Sequence, residues 1–259
     1  MKFHLWSFLH YFMMISPFII AYILNITTKN KSESYKQNIG IILSVVAVLL
    51  LVLRNIEIFV VGGYAFNMEL VPLQICHFAN FVLLFAYIKR NDTLFGLAFL
   101  FNLPLAYLSL VFADGLENYS TIINFRGQAY IWGHMLIVII TLYAYLTGFV
   151  KVDLKRYISV AKLVTFLYIL SVFVNNIFRL YLNAPSNYFY TEHPEKGTPL
   201  EFFFSLGKVS TIGSFEVNII YMISLLLFGY FVIFIFYILC FELPYYLKHK
   251  ELRLIKKNT

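Results

Sequence analysis

The sequence predicts an all-α, polytopic membrane protein: one membrane domain, residues 1–259, built as a seven-transmembrane-helix bundle with its N-terminus outside and its C-terminus cytoplasmic. Three observations carry this. Hydrophobic residues make up 61% of the chain and charged ones 13%, whereas a soluble domain holds about 45–50% apolar and about 25% charged residues. Seven long apolar runs each approach the roughly 20 residues that a helix needs to cross a bilayer. Seven crossings also sort the cations: fourteen Lys and Arg fall on one side (loops 25–38, 89–92 and 150–157 with Lys162, and the tail), and four, Lys2, Arg126, Lys196 and Lys208, on the other. Positive charge stays inside, which orients the bundle.

The runs lie near residues 7–24, 39–61, 71–88, 93–112, 129–149, 158–182 and 216–241. They must be helices, because only a helix pairs its own backbone groups in hydrocarbon, and the alternation of a membrane barrel is missing. The first follows a single Lys2 and has no small-residue cleavage site after Leu24, so it reads as a span and not a signal peptide. Pro104 predicts a kink in the fourth span beside Asn102. Residues 183–213, with Pro185, Pro194 and Pro199 around Glu192, His193 and Glu195, form the longest loop, either a lid or a flexible connection. The basic tail 244–259, carrying Lys248, Lys250, Arg253, Lys256 and Lys257, reads as an anchor on anionic headgroups in the cell membrane and not as a nucleic-acid contact. Two Cys give no disulfide framework and no zinc cluster, and neither a metal nor a cofactor is expected.

Polar groups inside spans are costly and tend to face the bundle interior. They are Arg54, Asn55 and Glu57 in the second span; Gln74, Cys76, His77 and Asn80 in the third; Asn102 in the fourth; His134 in the fifth; Asn175, Asn176 and Arg179 in the sixth; and Glu216 and Asn218 in the seventh. The alternating directions of the spans, with a rise of about 1.5 Å per residue, put nearly all of them at one depth in the outer half, which predicts a shared polar layer. Arg54 and Glu57, three residues apart, share a helix face and can neutralise each other, and Asn175, Asn176 and Arg179 can likewise share a face. The same residues read equally as an ion-pair and amide network that only fixes helix packing.

Cys76 and His134 form the more pointed pair. A thiol in apolar surroundings is a poor nucleophile unless a base such as imidazole stands beside it. Cys76 lies four residues after Pro72, a proline suited to a first helical turn, where the helix dipole favours thiolate. His134, placed in the first turns of its own helix, is kept neutral by the same dipole. His77 points about 100° away from Cys76, and Asn80, one turn on, shares its face and can meet a substrate. From the physics of the residues alone, packing roles for the thiol and the imidazole stay open. Cys240, at the inner end of the last span without polar company, reads as packing.

Val71-Pro72-Leu73-Gln74-Ile75-Cys76-His77 and Tyr130-Ile131-Trp132-Gly133-His134 resemble the corresponding elements of the YwaF-like bacterial integral membrane family, over roughly residues 39–241. That family is similar to a eukaryotic transmembrane acyltransferase that remodels ether phospholipids, in which a Cys-His pair and a second His a little under sixty residues on are the catalytic elements; here the interval is 58 residues. In that relative the proline directly precedes the Cys, whereas here Ile75 intervenes. The resemblance implies lipid acyltransferase or acyl hydrolase chemistry through a Cys76 thioester with His134 as base, a phospholipid acyl donor and a lysolipid acceptor. Two other readings remain open: a transporter or receptor-like protein that binds a small polar solute, and a structural assembly factor.

Overall fold

The structure is a computed structural model that describes residues 2–184, 186–195 and 198–248. Lys196, Pro185 and the tail cations Lys250, Arg253, Lys256 and Lys257 lie outside the described residues. Seven apolar spans are present. They are helix α1 (Phe8–Thr28), α2 (Glu33–Val61) and α3 (Ile75–Lys89); then α4 (Asp92–Leu97) and α5 (Leu103–Val111), which form one span; then α6 (Phe125–Leu146), α7 (Leu154–Leu182) and, after a short helix α8 (Leu200–Ser205), α9 (Ile219–Tyr237). The fold is a helical bundle with one two-stranded hairpin, β1 (Ser210–Ile212) and β2 (Phe215–Val217).

Local chemistry sets most helix starts. The side chains of Ser7, Ser32, Asn91, Asn124, Asp153 and Asn218 each accept a first-turn N–H of the helix that follows, satisfying donors that would otherwise be orphaned. Helix α3 is the exception among the spans: Gln74 stands at its N-cap without a side-chain bond. Pro72 does not enter its first turn, as the spacing suggested. The chain instead passes through a turn of 3₁₀ helix, Met68–Leu70, and α3 begins at Ile75, so Cys76 is its second residue. The predicted bend near Pro104 is a π-helical segment, Ala98–Asn102, that joins α4 to α5, a common cause of helix bending.

Helix α6 is the axis of the bundle. It packs against α1, α2, α3 and α5, and Met135, Val138, Ile140, Tyr143 and Ala144 on it are fully enclosed. Interhelical hydrogen bonds tie it in: Tyr87 Oη on α3 donates to the Ile140 carbonyl at 3.3 Å and Tyr143 Oη donates to Thr28 Oγ1 on α1 at 3.0 Å. Helices α1, α2, α7 and α9 keep outward faces of exposed Phe, Ile, Leu and Val, as lipid-facing helices do.

At one seam a glycine lets two helices close. A Cβ on Gly40 of α2 would stand 2.1 Å from the enclosed Tyr87 ring, so only glycine admits this approach, in keeping with small residues at membrane helix contacts. Gly40→Ala is expected to cost about 1–3 kcal/mol through overpacking, read as a lowered unfolding temperature in detergent. Gly115→Ala, where a Cβ meets nothing within 4 Å, is the control and should change little.

The long connection after α7 is built, not loose. A 3₁₀ turn, Tyr188–Tyr190, folds onto the helices, with Tyr188 and Phe189 buried. Glu216, expected inside the last span, instead lies on strand β2, and Asn218 caps α9. His134 is likewise further from its helix start than expected: α6 begins at Phe125, which makes it the tenth residue, beyond the first turn where the dipole acts.

Candidate functional site

Helices α2, α3 and α6 enclose a small polar cavity of about 60 Å³. Cys76, His77 and Asn80 line it from α3, Arg54 from α2, and Arg126, Tyr130, Gly133 and His134 from α6. Cys76 and His134 both face this cavity and stand close enough to interact electrostatically, and Ser109 on α5 comes near the same sulfur. Ser109 is held there by Oγ donating to the Leu105 carbonyl at 3.1 Å, and by its own carbonyl accepting from Tyr130 Oη at 2.8 Å.

The orientation of the imidazole follows from one bond. His134 Nδ1 is 2.6 Å from the Tyr130 carbonyl oxygen. A carbonyl can only accept, so Nδ1 carries the proton and the lone pair is left on Nε2. The tautomer that can take a proton from a thiol is thus set by the backbone one turn back.

Cys76 also has unused donors beside it. Among the described residues the N–H groups of Cys76 and His77, in the uncapped first turn of α3, have no partner. Three further polar atoms of residues lining the cavity are buried without a partner among the described residues, His77 Nδ1, Asn80 Oδ1 and Arg126 Nε.

Arg54 and Glu57 do not neutralise each other. Arg54 Nη2 pairs with Glu69 Oε2 at 3.0 Å and Nη1 donates to Asn55 Oδ1 and the Glu69 carbonyl, both at 2.9 Å. Arg126 Nη2 takes the same carboxylate, at 3.0 and 2.9 Å from its two oxygens. Glu57 lies on the neighbouring stripe of α2, where Oε2 accepts the Arg126 backbone N–H at 2.9 Å. The reason is competition: the 3₁₀ turn delivers Glu69 between two guanidinium groups, a better partner than a carboxylate one turn along the same helix.

Along that stripe, α2 and α6 form a groove of about 910 Å³. Val46, Leu50, Leu53, Trp132 and Leu136 line its length, and its polar residues, Glu57, Asn124 and Gln128, gather towards one end. Leu50 belongs to both groove and cavity.

The expected single polar layer is in fact divided. Asn175, Asn176, Arg179 and Glu216 do not line the cavity but fasten the connection after α7. Arg179 Nη1 pairs with Glu216 Oε1 at 2.9 Å and Nη2 donates to Asn176 Oδ1 at 2.7 Å. Asn176 Nδ2 donates to Glu192 Oε1 at 3.1 Å, and Asn175 Oδ1 accepts the Tyr188 N–H at 3.0 Å. Asn218 Nδ2 donates to the Phe204 carbonyl at 3.0 Å. Asn102 is buried in the π segment and Gln74 sits at the head of α3, and neither lines the cavity.

The fastened turn reaches the site. Phe189 and Tyr190 both hold left-handed backbone, at φ 56° and 57°, a conformation that is rare for bulky residues and recurs at functional sites. Tyr188 Oη donates to the Met68 carbonyl at 2.8 Å, just ahead of α3. Tyr190 stands in the electrostatic neighbourhood of Cys76, and burial first, then the sulfur, pushes its phenol up, so it stays a donor. Ser109 and Glu69 are thus residues beside the site that the sequence reading did not single out, and the Tyr188–Tyr190 turn adjoins it through the Tyr188 bond to Met68.

Burial raises the Glu192 carboxyl above its ordinary value, with nearby Glu216 adding to the effect and Arg179 and His193 opposing it. The folded chain then holds this proton more tightly than the unfolded one, so the anchoring should weaken as pH rises from the usual glutamate range through the raised value. Hydrogen exchange of residues 186–195 against pH should show that loss in the native chain, and Glu192→Gln should flatten it.

A seven-helix membrane bundle enclosing a cysteine, an oriented histidine and an arginine-glutamate cluster defines a polytopic protein with a built internal site. The chain belongs to the TMEM164 family, whose model matches residues 2–240, which include every residue of that site. No curated protein and no solved structure matches it.

Proposed function

We propose that the protein is an integral membrane lipid acyltransferase, or an acyl hydrolase where water is the acceptor, working through a thioester on Cys76. The observation that carries this reading is that Cys76 shares one small cavity with a histidine whose Nδ1 is committed to the Tyr130 carbonyl. A packing cysteine needs no oriented base, whereas a nucleophilic one does. The resemblance of residues 71–77 and 130–134 to the YwaF-like proteins, and through them to the transmembrane acyltransferase of ether-phospholipid remodelling, points the same way.

In this mechanism His134 Nε2 takes the thiol proton as sulfur attacks the ester carbonyl carbon of a phospholipid. The carbonyl electron pair moves to oxygen, and the unpartnered N–H groups of Cys76 and His77 are placed to receive that oxyanion. The carbon–oxygen bond then breaks, the lysolipid oxygen leaves with the proton from His134, and a thioester remains. In the second half a lysolipid hydroxyl, or water, gives its proton to His134 and attacks the thioester, and the thiol is restored. Asn80 Oδ1, a buried acceptor with no partner among the described residues, suits the incoming hydroxyl.

The cation distribution supports an external position for the site in the cell membrane, with the basic tail in the cytoplasm. Intact mass of the protein after incubation with phospholipid tests the reading: an acyl adduct on Cys76 supports it, and a well-folded protein that never acquires one refutes it.

A further inference from the structure

The groove between α2 and α6 has a size, direction and polarity that call for an occupant. Its α2 wall runs from Val46 to Val60, fourteen residues or about 21 Å along the helix axis, and so lies parallel to the direction in which lipid chains hang. Its flank is open, because Val46, Leu53, Ile56 and Val60 are all exposed. Polar groups gather towards one end only, where α2 nears the membrane boundary, and the rest is apolar.

The groove is also separated from the thiol by very little. Leu50 is a wall of both spaces, and Trp132 on the groove side is followed by Gly133 and His134 on the cavity side. At Gly133 a Cβ would meet nothing within 4 Å, so the seam is open beside the imidazole.

We propose that this groove seats the acyl chain of a membrane phospholipid, entering sideways from the bilayer, and that Leu50 is the gate past which the chain's carbonyl end reaches Cys76. The proposal rests on the acyl-transfer reading and adds its substrate path. A lipid tail is already in hydrocarbon, so the groove gains only close packing over the bilayer. Chains therefore exchange readily, and selection among them depends on shape at Leu50 and Gly133.

The test separates binding from chemistry. Full-length Cys76→Ser protein is reconstituted in phosphatidylcholine vesicles containing a trace of phosphatidylcholine with a diazirine at mid-chain, irradiated, and mapped by mass spectrometry. Adducts should concentrate on Leu53, Trp132 and Leu136 over Ile42 and Val52, which are exposed on α2 but lie outside the groove. In chains with Cys76 intact, Leu53→Phe and Val46→Phe should slow thioester formation about 10-fold or more, the scale on which apolar pockets discriminate, while Ile42→Phe and Val52→Phe leave it unchanged. Leu50→Trp should keep groove labelling and lose the thioester, and Leu50→Ala should admit bulkier chains. Uniform labelling of α2, or thioester formation indifferent to both groove fillers, overturns the groove. A thioester at native rate in Leu50→Trp overturns the gate. Selective labelling in a protein that never forms a thioester supports groove binding and refutes acyl transfer instead.

Discussion

Incubated with phospholipid in a bilayer, the purified protein is expected to acquire an acyl group on Cys76 that hydroxylamine removes, and Cys76→Ser is expected to abolish it. Serine keeps the shape, but its hydroxyl is far harder to ionise than a thiol, and a single histidine without a carboxylate behind it gives limited activation. His134→Ala should slow acylation about 10²–10⁴-fold, the usual contribution of a positioned general base. The fold should survive, because His134 is only half-buried and its ring is bonded to the backbone of its own helix. Cys240→Ser should change neither quantity: Cys240 lies in the π segment Ile238–Glu242, where its carbonyl accepts from Tyr145 Oη at 3.3 Å. The measurement is intact mass against time, with circular dichroism as the check on folding. Equal acylation with and without Cys76 would remove the thioester mechanism.

The spans were legible because hydrocarbon imposes a long apolar run on any helix that crosses it, and little else in the sequence imitates one. Depth along each helix was legible for the same reason, which is why Cys76 and His134 could be set at one level. Rotation about the helix axis was not. Arg179 shares roughly that level, yet α7 turns it towards Glu216 and Asn176, and no count of residues from a membrane boundary reports the side a helix presents. Partners from connecting segments were hidden too. Glu69 stands outside the apolar runs in a 3₁₀ turn, and Tyr190 lies in a connection whose fold depends on Asn175 and Asn176. Ser109 looks like any serine in a span, since a hydroxyl bonded to its own helix carries no signal of what stands beside it. One capping asparagine, by contrast, was visible as a residue type but was read as a buried polar group. Asn218 is the instance, since its side chain closes the start of α9.

Glu69→Leu is expected to be the most destabilising substitution around the site. Arg54 is 8% exposed, and its carboxylate partner also holds Arg126, so removing that carboxylate leaves one enclosed guanidinium without a counter-ion and a second cation beside it. Breaking a fully buried pair from one side costs about 3–5 kcal/mol, and the cost here falls below that because the Glu69 side chain is 42% exposed. The Arg126 half contributes little to that sum, because both side chains there are 42% exposed and such pairs are worth about 0–1 kcal/mol. Arg54→Leu should therefore cost less than Glu69→Leu, since Glu69 keeps Arg126 and water. The double variant should recover stability relative to Glu69→Leu alone, because the stranded charge is gone. Thermal unfolding in lipid nanodiscs of the two single variants and the double measures the coupling. The same carboxylate joins α2, α6 and the turn that leads into α3, so Glu69→Leu should also slow acylation under conditions where the protein remains folded, by loosening Cys76 against His134. An unfolding midpoint unchanged in Glu69→Leu, or a double variant no more stable than that single one, would show that water reaches Arg54 and that the cluster does not hold the thiol in place.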